Sequence, residues 1–201
     1  MDRCNEYKGS LTREQFLFFE MRVAAKLIAE GFSEADATQK ILEDNLFQFP
    51  TERMISSIAR TCFVRLESLN SSELVEILAH SNIEEAKLVN LYAMMRTNKI
   101  VWDFMVTVIG EKYRTQDLSF AQSDLNLFMM RLQEQNDDVA SWSDSTIGKI
   151  KQVLRKSLVE AGYLDSVKST TLNPVLADYE LIDGIKSNGD VEALSAFNYF
   201  G

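Results

Sequence analysis

The sequence predicts an all-α protein, and three observations carry that expectation. Turn residues are scarce, with 8 Gly and 2 Pro in 201 residues. A β-sandwich or barrel needs many more. Hydrophobic residues make up 46% of the chain, which supports a packed core rather than a disordered polymer. Finally, Leu, Ala, Glu, Lys, Gln and Met dominate the periodic segments, and these good helix formers are bracketed by capping signals.

The elements follow in order. Thr12 can cap a helix that runs to about Glu30, with Gly31 as its stop. Most faces of FLFFEMRVAAKLIAEGF are apolar, so this helix belongs at the centre. Ser33 and Asp36 form an acidic variant of a capping box and open a short helix over roughly residues 34–45. NLFQFP ends it, and Pro50-Thr51 opens a longer helix from about Glu52 to Leu69. Ser72, Ser81 and Asn98 read as further N-caps, for helices near 73–80, 82–97 and 99–114. Ser123 opens a helix to about Gln135, and Ser143 opens another that Gly162 ends. Residues Tyr163–Leu172 read as a small wing or loop. Asn173-Pro174 then starts a helix with proline at its favoured first position, stopped at Gly189. No convincing strand, fixed-period repeat or low-complexity tract appears. The linker 115–122 divides the chain into an N-terminal lobe (1–114) and a C-terminal lobe (115–201).

Charge and motif content narrow the chemistry. The formal net charge is −9, which argues against indiscriminate coating of nucleic acid. No run approaches the apolar length of a membrane span, the run from Ile100 being broken by Asp103, and the N-terminal MDRCNEYKG has no apolar signal region. A soluble cytoplasmic protein is expected. Cys4 and Cys62 form no CxxC pair, and Cys62 falls in an apolar stripe as a buried thiol. His80 sits near a helix end, where a structural role is expected. No metal-ligand spacing, phosphate-binding glycine loop or nucleophile elbow is present. Neither an enzyme nor a cofactor is expected.

One segment departs from the acidic background. Between Ser145 and Val159 stand four cations and no carboxylate. At 100° per residue, Ile147, Ile150, Leu154, Leu158 and Ala161 form a core stripe. Ser145, Lys149, Gln152 and Lys156 fall opposite, and Lys151 and Arg155 flank the core. Cations suit phosphates, while Gln and Ser can reach base edges. The Ser/Thr start with Thr146 offers hydroxyls and free N–H groups. A basic helix face is most often only solvated. Here that reading is weakened because no acidic partner stands within the run to pair with its cations, Asp144 and Glu160 lying outside it. With the preceding apolar helix and the polar connection NDDVAS, the pattern is a helix-turn-helix whose LVEAGYLD ending is similar to the turn into a wing. The helix from Glu52 repeats the logic more weakly. Ile55, Ile58, Ala59, Cys62, Leu66 and Leu69 form its core face, and Arg53, Ser57 and Arg60 form the outward face. Glu52 and Glu67 dilute its charge.

The chain also resembles the BrxA family of bacteriophage exclusion (BREX) systems. The resemblance lies in ILEDNLFQFPTERMISSIARTCFVRLESL (41–69) and DLNLFMMRLQEQNDDVASWSDSTIGKIKQVLRKSLVEAGYLD (124–165). Its most specific parts are Asn45-Leu46, Arg65-Leu66, and Trp142-Ser143 with Thr146. The resemblance implies an all-helical protein with two helix-turn-helix (winged-helix-like) units that binds double-stranded DNA beside other BREX subunits. The expectation is thus a monomeric, non-enzymatic DNA-binding component of phage defence. Its contacts would be Ser145, Thr146, Lys149, Lys151, Gln152, Arg155 and Lys156, with Arg53, Ser57 and Arg60 as a second group. The alternative is an adaptor that uses the same helices against an acidic protein surface. No aromatic platform for single-stranded RNA stands out.

Overall fold

A computed structural model describes residue 4 and residues 6–201; residues 1–3 and 5, within the polar N-terminal stretch, lie outside the described residues. The helices are α1 (Phe18–Ala29), α2 (Glu34–Glu43), α3 (Glu52–Ser68), α4 (Ser72–His80), α5 (Ile83–Thr97), α6 (Lys99–Phe104), α7 (Glu111–Arg114), α8 (Gln122–Gln135), α9 (Asp137–Ala140), α10 (Asp144–Glu160) and α11 (Tyr179–Ser187). A π-helical stretch, Met105–Gly110, joins α6 to α7. Single 3-10 segments occupy Gly9–Thr12 and Val191–Phe197. Among the described residues there is no β-strand, only one isolated antiparallel bridge between Ser119 and Thr171. The protein is all-α, as its composition predicts.

Local chemistry explains the helix starts. Ser33, Thr51 and Ser143 accept the backbone N–H three residues on, at 3.2, 3.3 and 3.3 Å. Ser71 and Asn82 cap α4 and α5, each one residue from the expected Ser72 and Ser81. At α8 the cap position is Ala121, not Ser123. Asp124 supplies the missing function by accepting the Ala121 N–H at 2.7 Å.

Two helices start later than the sequence pattern predicts. The first begins at Phe18 rather than after Thr12, whose hydroxyl instead donates to the Gly9 carbonyl at 3.1 Å. The cause is Arg65, on α3, which is 2% exposed. Its guanidinium donates to the carbonyls of Glu14 (2.7 Å), Gln15 (2.9 Å) and Phe16 (3.2 Å). The Asn90 amide adds a bond to the Phe16 carbonyl at 2.8 Å. Carbonyls turned toward buried side chains are not available to a helix ladder, so residues 13–17 stay unwound and Leu17 turns the chain at φ 52°. Burial pulls the Arg65 pKa below its ordinary value. The second late start is α11, which opens at Tyr179 and not at Pro174. The Tyr113 hydroxyl donates to the Asn173 carbonyl at 2.5 Å. The Asn173 side chain donates to the Gly162 carbonyl and to Asp165, at 3.1 and 2.8 Å, fixing the segment outside a helix.

One cluster of buried side chains runs from Leu11 to Phe197. Cys62 lies within it, and burial pushes its thiol up to about 12. The 3-10 segment at Val191–Phe197 packs on the π-helical stretch at Gly110. A Cβ there would overlap the Ser195 hydroxyl and lie 3.2 Å from the Ala196 nitrogen. The same end of the chain is fastened by Asp190, whose buried carboxylate accepts hydrogen bonds from Arg96 and from the Tyr92 hydroxyl at 2.8 Å. Asn188 donates to the Tyr92 oxygen at 3.0 Å and to the Leu69 carbonyl at 2.9 Å. Among the described residues, no helix is long and apolar enough to cross a membrane.

Replacing Arg65 with Met would leave carbonyls without donors inside the core, at about 1–3 kcal/mol each. Arg65→Met is therefore expected to lower stability by about 3 kcal/mol or more, read from the urea midpoint; an unchanged midpoint would contradict the role assigned to Arg65. Gly110→Ala is expected to cost about 1–3 kcal/mol through overpacking. Thermal unfolding checks it, and an undiminished Tm would show that the π-helical stretch relaxes freely.

Candidate nucleic-acid interface

The α10 helix is positioned at both ends. At its start, Ser143 Oγ accepts the Thr146 N–H and lies 3.0 Å from the hydroxyls of both Ser145 and Thr146. At its end, Gly162 takes φ 84°, which releases the chain into the 163–172 loop. The expected core stripe, Ile147, Ile150, Leu154, Leu158 and Ala161, is buried throughout. Val153 and Ser157 are buried as well, so the core face is wider than the sequence pattern indicates.

The opposite stripe faces solvent. Ser145, Lys149, Gln152 and Lys156 are exposed. Among the described residues, neither Lys149 nor Lys156 forms an ion pair within 4.0 Å. These two cations stand about 10 Å apart along the helix. The flanking residues behave differently. Lys151 donates to the Asn126 side chain of α8 at 2.9 Å. Arg155 turns to the loop, with Nε donating to the Val167 carbonyl at 2.6 Å and Nη2 to the Ser169 carbonyl at 2.8 Å. Its guanidinium also lies 5.3 Å from the centroid of Phe120. Arg155 thus braces the loop and presents its charge only at the edge of the stripe.

The loop is held on its far side too. Phe120 N donates to the Thr170 carbonyl at 2.9 Å, and Leu172 N donates to the Leu118 carbonyl at 2.7 Å. Asn173 N donates to the Tyr163 carbonyl at 2.9 Å. The connection expected as a bare polar turn before α10 contains the short helix α9, capped by Asn136.

A groove of about 490 Å³ brings Lys149, Gln152, Arg155 and Lys156 together with Thr12, Gln15 and Val167. A second groove, of about 580 Å³, is shared by Met54 and Ile58 of α3, Val153 and Lys156 of α10, and Arg13 and Gln15. The helices α3 and α10 therefore border one depression. Arg53, Ser57 and Arg60 are exposed on α3 but line neither groove. Thr12, Arg13 and Gln15 are absent from the sequence-derived set. The helical reading of residues 12–30 hid them, because it left no reason for this segment to lie beside α10. The one available signal was a buried-face arginine, Arg65, with no acidic partner at helical spacing.

The fold and this surface define a small all-helical protein with one concentrated cationic helix face on an otherwise acidic chain. Comparison with known proteins places it further. The sequence profile of the BrxA family matches residues 5–189. A BREX protein BrxA of Bacillus cereus (strain H3081.97) is 33% identical over 185 residues, 92% of each chain. A BREX protein BrxA of Escherichia coli O9:H4 (strain HS) is 28% identical over 83% of this chain and 78% of that protein. The crystal structure of an uncharacterized protein from Magnetospirillum magneticum shares the fold, with a TM-score of 0.78 over 95% of this chain and 97% of that one at 21% identity. The chain belongs to the BrxA family of bacteriophage exclusion systems.

Replacing Arg155 with Met should loosen residues 163–172 without unfolding α10. Amide exchange at Phe120 and Leu172 is expected to accelerate by about tenfold or more, while the Leu154 amide keeps its protection. Unchanged exchange at Phe120 and Leu172 would show that the loop is held without Arg155.

Proposed function

We propose that this protein is a non-enzymatic, double-stranded-DNA-binding component of a BREX phage-defence system and that the outer face of α10 makes the main contact. The observation that carries the proposal is the stripe of Lys149, Gln152 and Lys156, exposed and, among the described residues, without internal ion pairs, on a chain of net charge −9. Acidic surroundings repel DNA except where local cations outweigh them, so binding is confined to this face and falls steeply with salt. The order α8, α9, α10, braced loop supports a winged helix-turn-helix reading, with residues 118–120 and 170–172 as the remnant of its sheet. Lys149 and Lys156 would neutralise phosphates, Gln152 and Ser145 would reach base edges, and Lys151 and Thr146 would support them. Arg155 would set the angle of the wing. The pair α2–α3 would act as a second unit, in which Arg53, Ser57 and Arg60 make supplementary phosphate contacts. Thr12, Arg13 and Gln15 extend the α10 surface, and Arg65 fixes the segment that follows Arg13 through the carbonyls of Glu14, Gln15 and Phe16. The relatives named BREX protein BrxA support the phage-defence setting and, with it, a cytoplasmic location among other BREX subunits.

Gel-shift titrations over a range of salt concentrations test this reading. Each phosphate contact contributes about 0.9 to the salt slope. Lys149→Ala with Lys156→Ala is therefore expected to lower the slope by about two, and Arg13→Ala by about one. A folded double variant with an unaltered slope would remove α10 from the interface. No shift by the wild-type protein even at low salt would favour the adaptor role instead.

A further inference from the structure

Away from the Lys149–Lys156 stripe, beyond the C-terminal end of α10, lies a groove of about 750 Å³ between the start of α5, the α10 terminus and residues 174–178. Its apolar surface is unusually bare. Leu176 is 85% exposed and Ile83 58%, and the adjacent Tyr179 is 74% exposed. Large apolar side chains concentrated at one place on a surface mark an interaction site more than scattered ones do. The exposure of Leu176 is built in, because the bonds of Asn173 to Tyr113, Gly162 and Asp165 keep residues 173–178 out of the helix that Pro174 would otherwise open.

The walls of this groove are acidic. Glu84, Glu85, Glu160 and Asp178 line it, against one lining cation, Lys87. Lys87 Nζ lies 5.7 Å from the centroid of Phe18, on the side of α1. Glu85 and Asp178 both line the groove and interact electrostatically. Burial raises the Glu85 carboxyl above its ordinary value, and the Asp178 and Glu180 carboxylates push the same way. The α10 C-terminus adds the partial negative charge of its carbonyls, while the partial positive charge of the α5 N-terminus is offset by Glu84 and Glu85 in its first turn. Carboxylates held this close repel one another until a cation comes between them. DNA and anionic membranes are excluded by the same charge.

We propose that this groove docks a cationic, amphipathic segment of a partner protein, with apolar side chains seated on Ile83 and Leu176 and Lys or Arg side chains paired with Glu85, Asp178 and Glu160. Charge complementarity selects the partner, and the apolar floor supplies the anchor. Ser145, Lys149, Gln152 and Lys156 do not line this groove, and Glu160, one turn beyond Lys156, is where it adjoins the α3–α10 depression, so the cationic stripe stays open to DNA when a partner is docked. This inference does not depend on the DNA-binding reading.

The test uses a fluorescent helix-forming peptide with leucines on one face and arginines on the other. A control peptide of the same composition has its leucines spread around the helix. Anisotropy titrations compare the wild-type full chain with Leu176→Ser, with Glu85→Gln plus Asp178→Asn, and with Lys149→Ala plus Lys156→Ala. Leu176 is so exposed that its replacement leaves the fold intact. The expected result is salt-sensitive binding of the amphipathic peptide, weakened about tenfold or more in each of the first two variants and within about twofold of wild type in the third. Absence of wild-type binding, equal binding of the control peptide, or undiminished binding by Leu176→Ser would overturn the proposal. So would a concentration-dependent dimer abolished by Leu176→Ser in sedimentation velocity, since a second copy would then be the occupant.

Discussion

The guanidinium of Arg65 governs the arrangement of everything around it. A cation this deeply buried is ordinarily matched by a carboxylate, because desolvating it costs several kcal/mol. Here three consecutive backbone carbonyls do the matching. The forked geometry of arginine lets one side chain hold three acceptors at fixed angles, which an ammonium cannot do. The consequence reaches in two directions. The chain before α1 is drawn out of helical geometry, and it is laid against α10. A residue of the α3 core face thereby decides which side chains stand beside the α10 stripe.

Charge is sorted with similar economy. The chain carries 30 Asp and Glu against 21 Lys and Arg. Lys40, Lys99 and Lys112 are occupied in ion pairs with nearby aspartates. Among the described residues, Lys149 and Lys156 are not so occupied and stand exposed on the outer face of α10. Arg155 shows the other use of a cation on the same helix, as a brace for backbone. Helix-surface position alone does not separate these roles; the carbonyls that Arg155 meets come from residues 167 and 169, well beyond the helix.

Much of this was legible in the sequence because the rules involved are local. Ser33, Thr51, Asn98 and Ser143 cap the helices expected of them, and the core stripes of α3 and α10 follow from spacing alone. The three parts of the family resemblance each have a physical task. Asn45 takes φ 45° at the turn, Arg65 grips the N-terminal carbonyls, and Ser143 caps α10. What escaped the sequence reading was set by distant partners. Thr12 and Pro174 carry sound helix-start signals, but hydrogen bonds that span 49–60 residues of the chain override them. The same holds for the cationic stripe: its exposure was predictable from periodicity, but the diversion of Arg155 and the arrival of Gln15 were not.

The bonds to Asp190 also bear on synthesis. Tyr92 and Arg96 meet this carboxylate across 98 and 94 residues. Contacts so remote in sequence form late and slowly. During translation, α5 is complete long before Asn188, Asp190 and the Val191–Phe197 turn leave the ribosome. Until then the Tyr92 hydroxyl has not met its carboxylate, and Gly110 lacks the Ser195 side chain that packs on it. The native core therefore closes only after residues 188–197 have been made, and a product that stops before them lacks the carboxylate and the turn that complete it.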